Sequence, residues 1–489
     1  MNFAESVRYN STDISNQKLT ENGAVAYSCS AGGPLLDFFA VAGALRPRTE
    51  QEISAKFAAA FSVDPLLATK MLFYTGNIRG GLGERRTFRT CLRWMAHYHP
   101  DIVRKNLSLI PLFNRWDSLF NLVDTRVETD MWKFIEKQLK EDITALSANK
   151  SVSLLAKWMP SQNTSSVKTR ALAQRAMKKM NLYPRTYRKI LSALRKHINV
   201  VERQMSAQNW SEIQYATVPS YAMKNYSAAF KKHDFEGFSK YLDSVKKGEK
   251  KINASTLYPY DLIHNVWHYN GDAQTTELQW KALPNYVQGE NNFIVMADVS
   301  GSMYGRPIET SIGLATYFSE RNKGPYHNLY MTFSSQPAFI TLHDSMTLHD
   351  KVAYVRSKGV GYSTNLMAAF DLVLNHAVQN NISSNEMPKA IIVISDMEID
   401  SFFHPNARWD FMQTARQKFA NAGLAIPKLV LWNVEARRDT FLTREEDVIL
   451  VSGQSAVTFK QLCTNLNGKT NWDLMLETLN DKIYDCVVI

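Results

Sequence analysis

The chain has 489 residues, 45% of them hydrophobic, and a formal net charge of +11; that length suits two to four globular domains. No stretch reaches the roughly 18 uninterrupted apolar residues of a membrane span. The start, MNFAESVRYNSTD, lacks the charged-then-apolar pattern of an export signal, so a cytoplasmic monomer without a membrane partner is expected.

From about Gly33 to Val218 apolar residues recur at three- and four-residue spacing, as in LLDFFAVAGAL, ISAKFAAAFSV, LLATKMLFYTG and FRTCLRWMAHY. Turn-like breaks such as IRGGLGE and HYHPD separate them. Successive amphipathic helices need neighbours to cover their apolar faces, which predicts a helical array over residues 1–219. GGLGERR lacks the GxxxxGK(S/T) phosphate-loop pattern and follows no strand, so a helix–helix turn is predicted there. Glu84 is expected to pair with Arg85 and Arg86 on the surface. Asp117, in Arg115-Trp116-Asp117, is expected to be a helix N-cap.

Between Lys157 and Met205 twelve basic residues face one acid, Glu202, so this segment alone carries the whole excess of +11. Such a patch points to a polyanion partner, with nucleic acid the commonest. The candidate contacts are Lys168, Arg170, Arg175, Lys178, Lys179, Arg185, Arg188, Lys189, Arg195 and Lys196. Trp158, Tyr183 and Tyr187 are interleaved with them. Aromatic rings stack on unpaired bases while Lys and Arg neutralise phosphate, although tyrosines at helical spacing also suit a core.

Residues 220–290 carry a charged stretch, KKGEKKINAS, and an aromatic one, LYPYDLIHNVWHY, and are read as a helical connector completing the array. From 291 to 489 strands alternate with helices: FIVMA, LYMTF, AFITL, AIIVISD, LVLWNV and VILVSG, with helical stretches between most of them. Only SSQ separates LYMTF from PAFITL, so that pair must be antiparallel, because a parallel pair needs a longer crossover. The remainder predicts a doubly wound α/β domain. The expected fold class is thus α + α/β.

FIVMADVSGSMYG runs a buried-type strand into Asp298, Ser300 and Ser302, hard oxygen donors at alternate positions. Further oxygens stand at other predicted strand or helix ends: Thr364 in GYSTN and Asp396 at the end of IIVISD. A carboxylate-and-hydroxyl set suits Mg²⁺ by hardness and abundance, and Mn²⁺ or Ca²⁺ fits the same donors. Asp-x-Ser-x-Ser, then Thr, then Asp, on this β/α alternation, resembles the von Willebrand factor A domain and its metal-ion-dependent adhesion site. The resemblance covers Asn291 to Ile489. It implies that Ser300 and Ser302 bind the metal directly, Asp298 often through water, Thr364 from the second loop and Asp396 from the third. It also implies a free coordination position for an acidic group of a protein partner. Met397 and Glu398 follow Asp396 where the family often has glycine, and Gly361-Tyr362-Ser363-Thr364 replaces its paired glycines.

A helical array followed by one such domain resembles the Ro ribonucleoprotein (TROVE) architecture. LLDFFAVAGALR, NIRGGLGERRTFR, FNRWDSLFNL and VPSYAMKNYSAAF sharpen this. Together they look most like a relative of the Ro proteins that pairs a domain of unknown function with the same C-terminal domain. The kinship implies a HEAT-like ring of helices closed by the C-terminal domain, with structured RNA on a basic outer surface and single-stranded ends threaded through the ring.

For catalysis the chain is poor. His343 and His349 have no HExxH spacing, and neither a GxSxG elbow nor a Cys-His signature is present. The four cysteines, Cys29, Cys91, Cys463 and Cys486, form no CxxC pair, so reduced thiols are expected. The chain therefore reads as a binding protein and not an enzyme: a Ro-like RNA binder with a divalent-metal site, or a metal-dependent protein–protein adaptor without RNA. The two differ in salt dependence, which is steep for phosphate contacts.

Overall fold

The computed structural model describes residues 17–30, 32–287, 289–333, 336–358, 365–400, 411–443, 448–466 and 469–489. Among them, helices predominate up to residue 281, and a six-stranded mixed sheet with intervening helices follows. No described helix is long and apolar enough to cross a membrane.

Before the helices comes a short antiparallel hairpin, β1 (Gln17–Leu19) and β2 (Val25–Tyr27). It is held by the far end of the chain. The Thr20 hydroxyl donates to the Ile399 carbonyl at 2.6 Å, and Tyr27 and Phe441 exchange backbone hydrogen bonds at 2.8 Å. The expected helical array over 1–219 is therefore too broad at its start: these three-residue strands pair with each other, and residues far along the chain hold the hairpin in place.

The array opens with α1 (Gly33–Val41), α2 (Glu50–Val63), α3 (Pro65–Gly76) and α4 (Arg85–Tyr98). Their starts follow from local chemistry. Thr49 and Glu52 form a capping box on α2, and Asp64 caps α3 with Pro65 in its first turn. Phe38, Phe57 and Trp94 meet edge-to-face at 5.4 and 5.5 Å, joining α1, α2 and α4. Glu84, expected on the surface, is buried and accepts from the Arg86 amide as the cap of α4. Asp117 is not an N-cap: it pairs with Arg89 at 2.8 Å and with Arg115, which bind it more strongly than an amide.

Next come α5 (Pro100–Lys105), α6 (Leu109–Phe113), α7 (Glu128–Ser147), α8 (Leu155–Trp158), α9 (Val167–Lys179), α10 (Pro184–His197) and α11 (Val201–Ser206). The stretch 220–290 divides. Its first part, α12 (Ser220–His233) and α13 (Phe235–Lys246), joins Tyr215 in a separate small core with Phe230, Phe238 and Tyr241. Its second part, α14 (Pro259–Trp267) and α15 (Ala273–Lys281), packs on the α/β unit.

The sheet contains β3 (Phe293–Asp298), β4 (Leu329–Phe333), β5 (Ala338–Thr341), β6 (Ala390–Ser395), β7 (Lys428–Asn433) and β8 (Ile449–Ser452) in the order β5-β4-β3-β6-β7-β8. All neighbours are parallel except β4–β5, as the short SSQ link requires. All six residues of both β3 and β6 are buried, as central parallel strands covered on both faces must be. Between the strands run α16 (Arg306–Arg321), α17 (Leu348–Ser357), α18 (Leu366–Gln379) and α19 (Phe411–Asn421); α20 (Val457–Asn465) and α21 (Asn471–Leu479) follow the last strand. Helix α16 is buried almost all round because β3 and α14 both pack on it.

Both ends of the array meet the α/β unit. At one end α1 contacts β8, where a Cβ on Gly43 would lie 2.6 Å from the Gly453 Cα; only glycine permits that approach. The C-terminal segment returns to the ends of α3 and α5: Asn77 donates to the Tyr484 hydroxyl at 3.0 Å, and Asn106 donates to the Val488 carbonyl at 2.6 Å. At the other end α14 covers α16, and the Tyr258 hydroxyl beside it fills the space a side chain on Gly83 would need. The chain between Gly83 and Tyr258 thus leaves and comes back to one place.

Candidate metal centre

Strands β3 and β6 are neighbours, yet the chain runs from β3 outward through β4 and β5 before returning to β6 on the other side. The strand order therefore reverses between β3 and β6. In parallel sheets the crevice at the carboxyl ends of such a pair is the usual ligand site. Asp298 ends β3, and Asp396 follows the last residue of β6.

Asp298 is 0% exposed. Its Oδ1 accepts from the Ser300 amide at 2.9 Å, and its Oδ2 accepts from the Ser395 hydroxyl at 2.6 Å. The hydroxyls of Ser300 and Ser302 lie 3.2 Å apart. Gly305, at φ +88°, ends this loop in a conformation that favours glycine and starts α16. Asp396 is equally buried: its Oδ1 accepts from the Glu398 amide at 3.1 Å, but its Oδ2 has no hydrogen-bond partner. Among the described residues the cation in ion-pair distance is Arg437, whose Nε stands 3.8 Å away and whose guanidinium also donates to the Ser302 carbonyl.

Burial, and then the neighbouring Asp396, push the Asp298 carboxyl up to about 7, against hydrogen bonds from Ser300 and Ser395 that lower it. Burial likewise raises Asp396, against the Glu398 amide, Arg437 and the Ser302 hydroxyl. Two buried carboxylates without full neutralisation are costly. A divalent cation removes that cost, and the donors at hand are the hard oxygens that Mg²⁺ prefers. Four of the five expected ligands, Asp298, Ser300, Ser302 and Asp396, belong to the two adjacent strand ends. Thr364, with the rest of its GYST loop, lies outside the described residues. Ser395, Glu398 and Arg437 were not singled out from the sequence. Ser395 could have been, because it sits in a strand beside Asp396; Arg437 could not, because it reaches the site from the end of β7.

The basic segment is not one surface. Arg175 pairs with Glu128 through two nitrogens and with Asp124 at 2.6 Å, fastening α9 to α7. Lys179 stands 3.9 Å from the same Glu128. Arg195 donates to the carbonyls of Ala156 and Met159 and to Ser161, and Arg170 to those of Thr164 and Ser165. These three arginines act as internal fasteners. Lys168, Lys178, Arg185, Arg188, Lys189 and Lys196 are exposed and, among the described residues, have no carboxylate within ion-pair distance. Of the aromatic candidates, Tyr187 is core, donating to the Pro160 carbonyl at 2.7 Å, and Trp158 is covered by the Arg115 guanidinium at 4.0 Å. Tyr183, in the α9–α10 turn, is 81% exposed.

The chain matches the family described as Domain of unknown function (DUF7788) over residues 292–478. It is similar to "Uncharacterized protein L728" of Acanthamoeba polyphaga mimivirus, with 29% identity over 488 residues, covering 91% of this chain and 84% of that protein. Over residues 20–133 and 128–292, more than half its length, it matches the family described as Domain of unknown function (DUF2828), and to that family the chain belongs.

Proposed function

We propose that the protein is a metal-dependent binding protein, in which Asp298, Ser300, Ser302 and Asp396 hold Mg²⁺ at the carboxyl ends of β3 and β6. The observation that carries this is the buried Asp396 Oδ2, which has no hydrogen-bond partner, beside the buried Asp298 carboxylate. The strand order and the reversal between β3 and β6 support the von Willebrand factor A reading of this half. When bound, the cation supplies a Lewis-acidic coordination position for an acidic oxygen of a partner. The chain's own part is orientation. Ser395 fixes Asp298, the Glu398 amide fixes Asp396, and Arg437 holds the carbonyl of Ser302.

The test is thermal unfolding of the full chain with and without Mg²⁺, beside titration calorimetry. Mg²⁺ should raise the melting temperature of the wild type and leave that of Asp298→Asn unchanged. A wild type that neither shifts nor releases heat on Mg²⁺ addition overturns the reading.

A second reading, RNA binding of the Ro-like kind, is favoured by the exposed cations around the α9–α10 turn. Lys178, Arg185, Arg188 and Lys189 surround the exposed ring of Tyr183 in sequence. The return of the chain from Gly83 to Tyr258 supports a closed helical array. RNA held there should dissociate as salt rises and stay bound in EDTA. Binding that EDTA abolishes and salt leaves untouched would assign the activity to the metal centre instead.

A further inference from the structure

A second cluster of ligand-type side chains lies where α14 crosses α16. His264 in α14 and His268, the first residue beyond its end, are four apart and so share one helix face. Their rings are 4.5 Å apart between centroids. Both turn toward Glu309, in the first turn of α16: His264 Nδ1 and His268 Nε2 each stand 2.9 Å from its Oε1. The three ligand atoms lie within 4.8 Å of one another.

The surroundings favour a cation. The Glu309 side chain is 5% exposed, and among the described residues no lysine or arginine pairs with it. Asp261, one turn before His264, adds a second buried carboxylate, accepting from the Tyr221 hydroxyl at 2.6 Å and from the Tyr258 amide at 2.9 Å. The imidazoles are 42% and 46% exposed, so the cluster opens to solvent on the histidine side, where a water can complete a tetrahedron. Two of the three ligands are imidazoles, which are borderline donors, beside one hard carboxylate. They select Zn²⁺ and its transition-metal neighbours over Mg²⁺, in contrast to the oxygen set at Asp298.

We infer that His264, His268 and Glu309 form a zinc-type site that staples the end of the helical array to the α/β unit. The ligands come from both sides of that junction. It is already a close fit, since a Cβ on Gly313 of α16 would stand 3.1 Å from Ile263, and Arg306 stacks on Tyr260 at 4.1 Å. The metal would fix the first turns of α16, the helix that continues directly from the Asp298–Ser302 loop.

The probe is Co²⁺ added to the chelator-stripped full chain, read by its visible absorption. A tetrahedral site with imidazole ligands gives a band that an octahedral oxygen site does not. We expect one equivalent of Co²⁺, displaced by Zn²⁺, with the band kept in Asp298→Asn. Loss of second-shell groups alone weakens metal sites by about 10- to 100-fold, so His264→Ala or His268→Ala should cost at least about 100-fold and remove the band. X-ray absorption of the zinc-loaded Asp298→Asn chain provides a check with the histidines intact. Two imidazole ligands are expected. No Co²⁺ band in the wild type, a band unchanged in the double histidine variant, or oxygen-only scattering would overturn the proposal and leave the two histidines as hydrogen-bond donors to a buried carboxylate.

Discussion

The crevice between β3 and β6 and the turn between α9 and α10 are both charged, but in opposite ways. In the crevice, carboxylates are buried, few, and incompletely neutralised. At the turn, cations are exposed and numerous, and water solvates each of them. A buried charge without a counter-charge costs several kcal/mol unless it takes up a proton, so it marks a place where a cation would stabilise the fold. An exposed charge costs little, and its lack of a partner says correspondingly less. The contrast separates the proposed metal centre, which local energetics favour, from the proposed RNA surface, which they merely allow.

The largest expected effect tests the crevice. At a Mg²⁺ concentration 100 times the dissociation constant, the wild type should gain about 2.7 kcal/mol of stability by mass action. Asp396→Asn, which keeps the shape but removes a charge, should lose most of that gain while its metal-free stability equals or exceeds the wild type's. A metal-free Asp396→Asn clearly less stable than the wild type would show that the acid pair is compensated from within, and the contrast would collapse.

Next in size is the one buried acid within the basic segment's reach. Burial alone would raise Glu128, but hydrogen bonds from Arg175, the Asp124 amide and Trp132 outweigh it and hold the carboxyl down at about 2. Its folded value lies below its unfolded one, so the stability it contributes is present above about pH 4.5 and fades as pH falls toward 2. Glu128→Gln should cost about 2 kcal/mol at neutral pH and flatten that acid limb of the stability profile, as measured by denaturant unfolding. An unchanged limb would return Arg175 to the pool of available RNA contacts.

The smallest effect on stability comes from the turn itself. Reversing Lys178, Arg188 and Lys189 to Glu should move stability by no more than about 0.5 kcal/mol per site, as exposed changes do. RNA affinity should fall, and the slope of its logarithm against the logarithm of salt should shrink by about 0.7 per lost phosphate contact. Tyr183→Ser should weaken single-stranded RNA by about 1–3 kcal/mol if the ring stacks on a base. An RNA affinity indifferent to all four changes would sink the RNA reading while leaving the metal centre standing.

Much of this molecule was legible in the chain. The helices α1 to α4, the strands of the sheet and the antiparallel β4–β5 pair follow from spacing, caps and link length, because those are local properties. Asp298, Ser300, Ser302 and Asp396 stood out because the ends of buried strands carry few polar residues without a reason. Tertiary structure decided which of the ten basic candidates are fasteners and which are free to meet a ligand: Arg175 and Arg195 are sequestered by carboxylates and carbonyls brought in from other segments, while Arg170 is held locally by the carbonyls just before its helix. It also decided that Tyr187 is core while Tyr183 is surface. The His264–His268 spacing was visible, but Glu309, from another helix 41 residues beyond His268, was not. The sequence by itself determined the elements and the hard-oxygen loop, because period, capping and side-chain chemistry act over a few residues. The fold alone decided the neutralisation of each charge, because an ion pair or a metal shell is closed by whatever packing brings within a few ångströms, however far along the chain it lies.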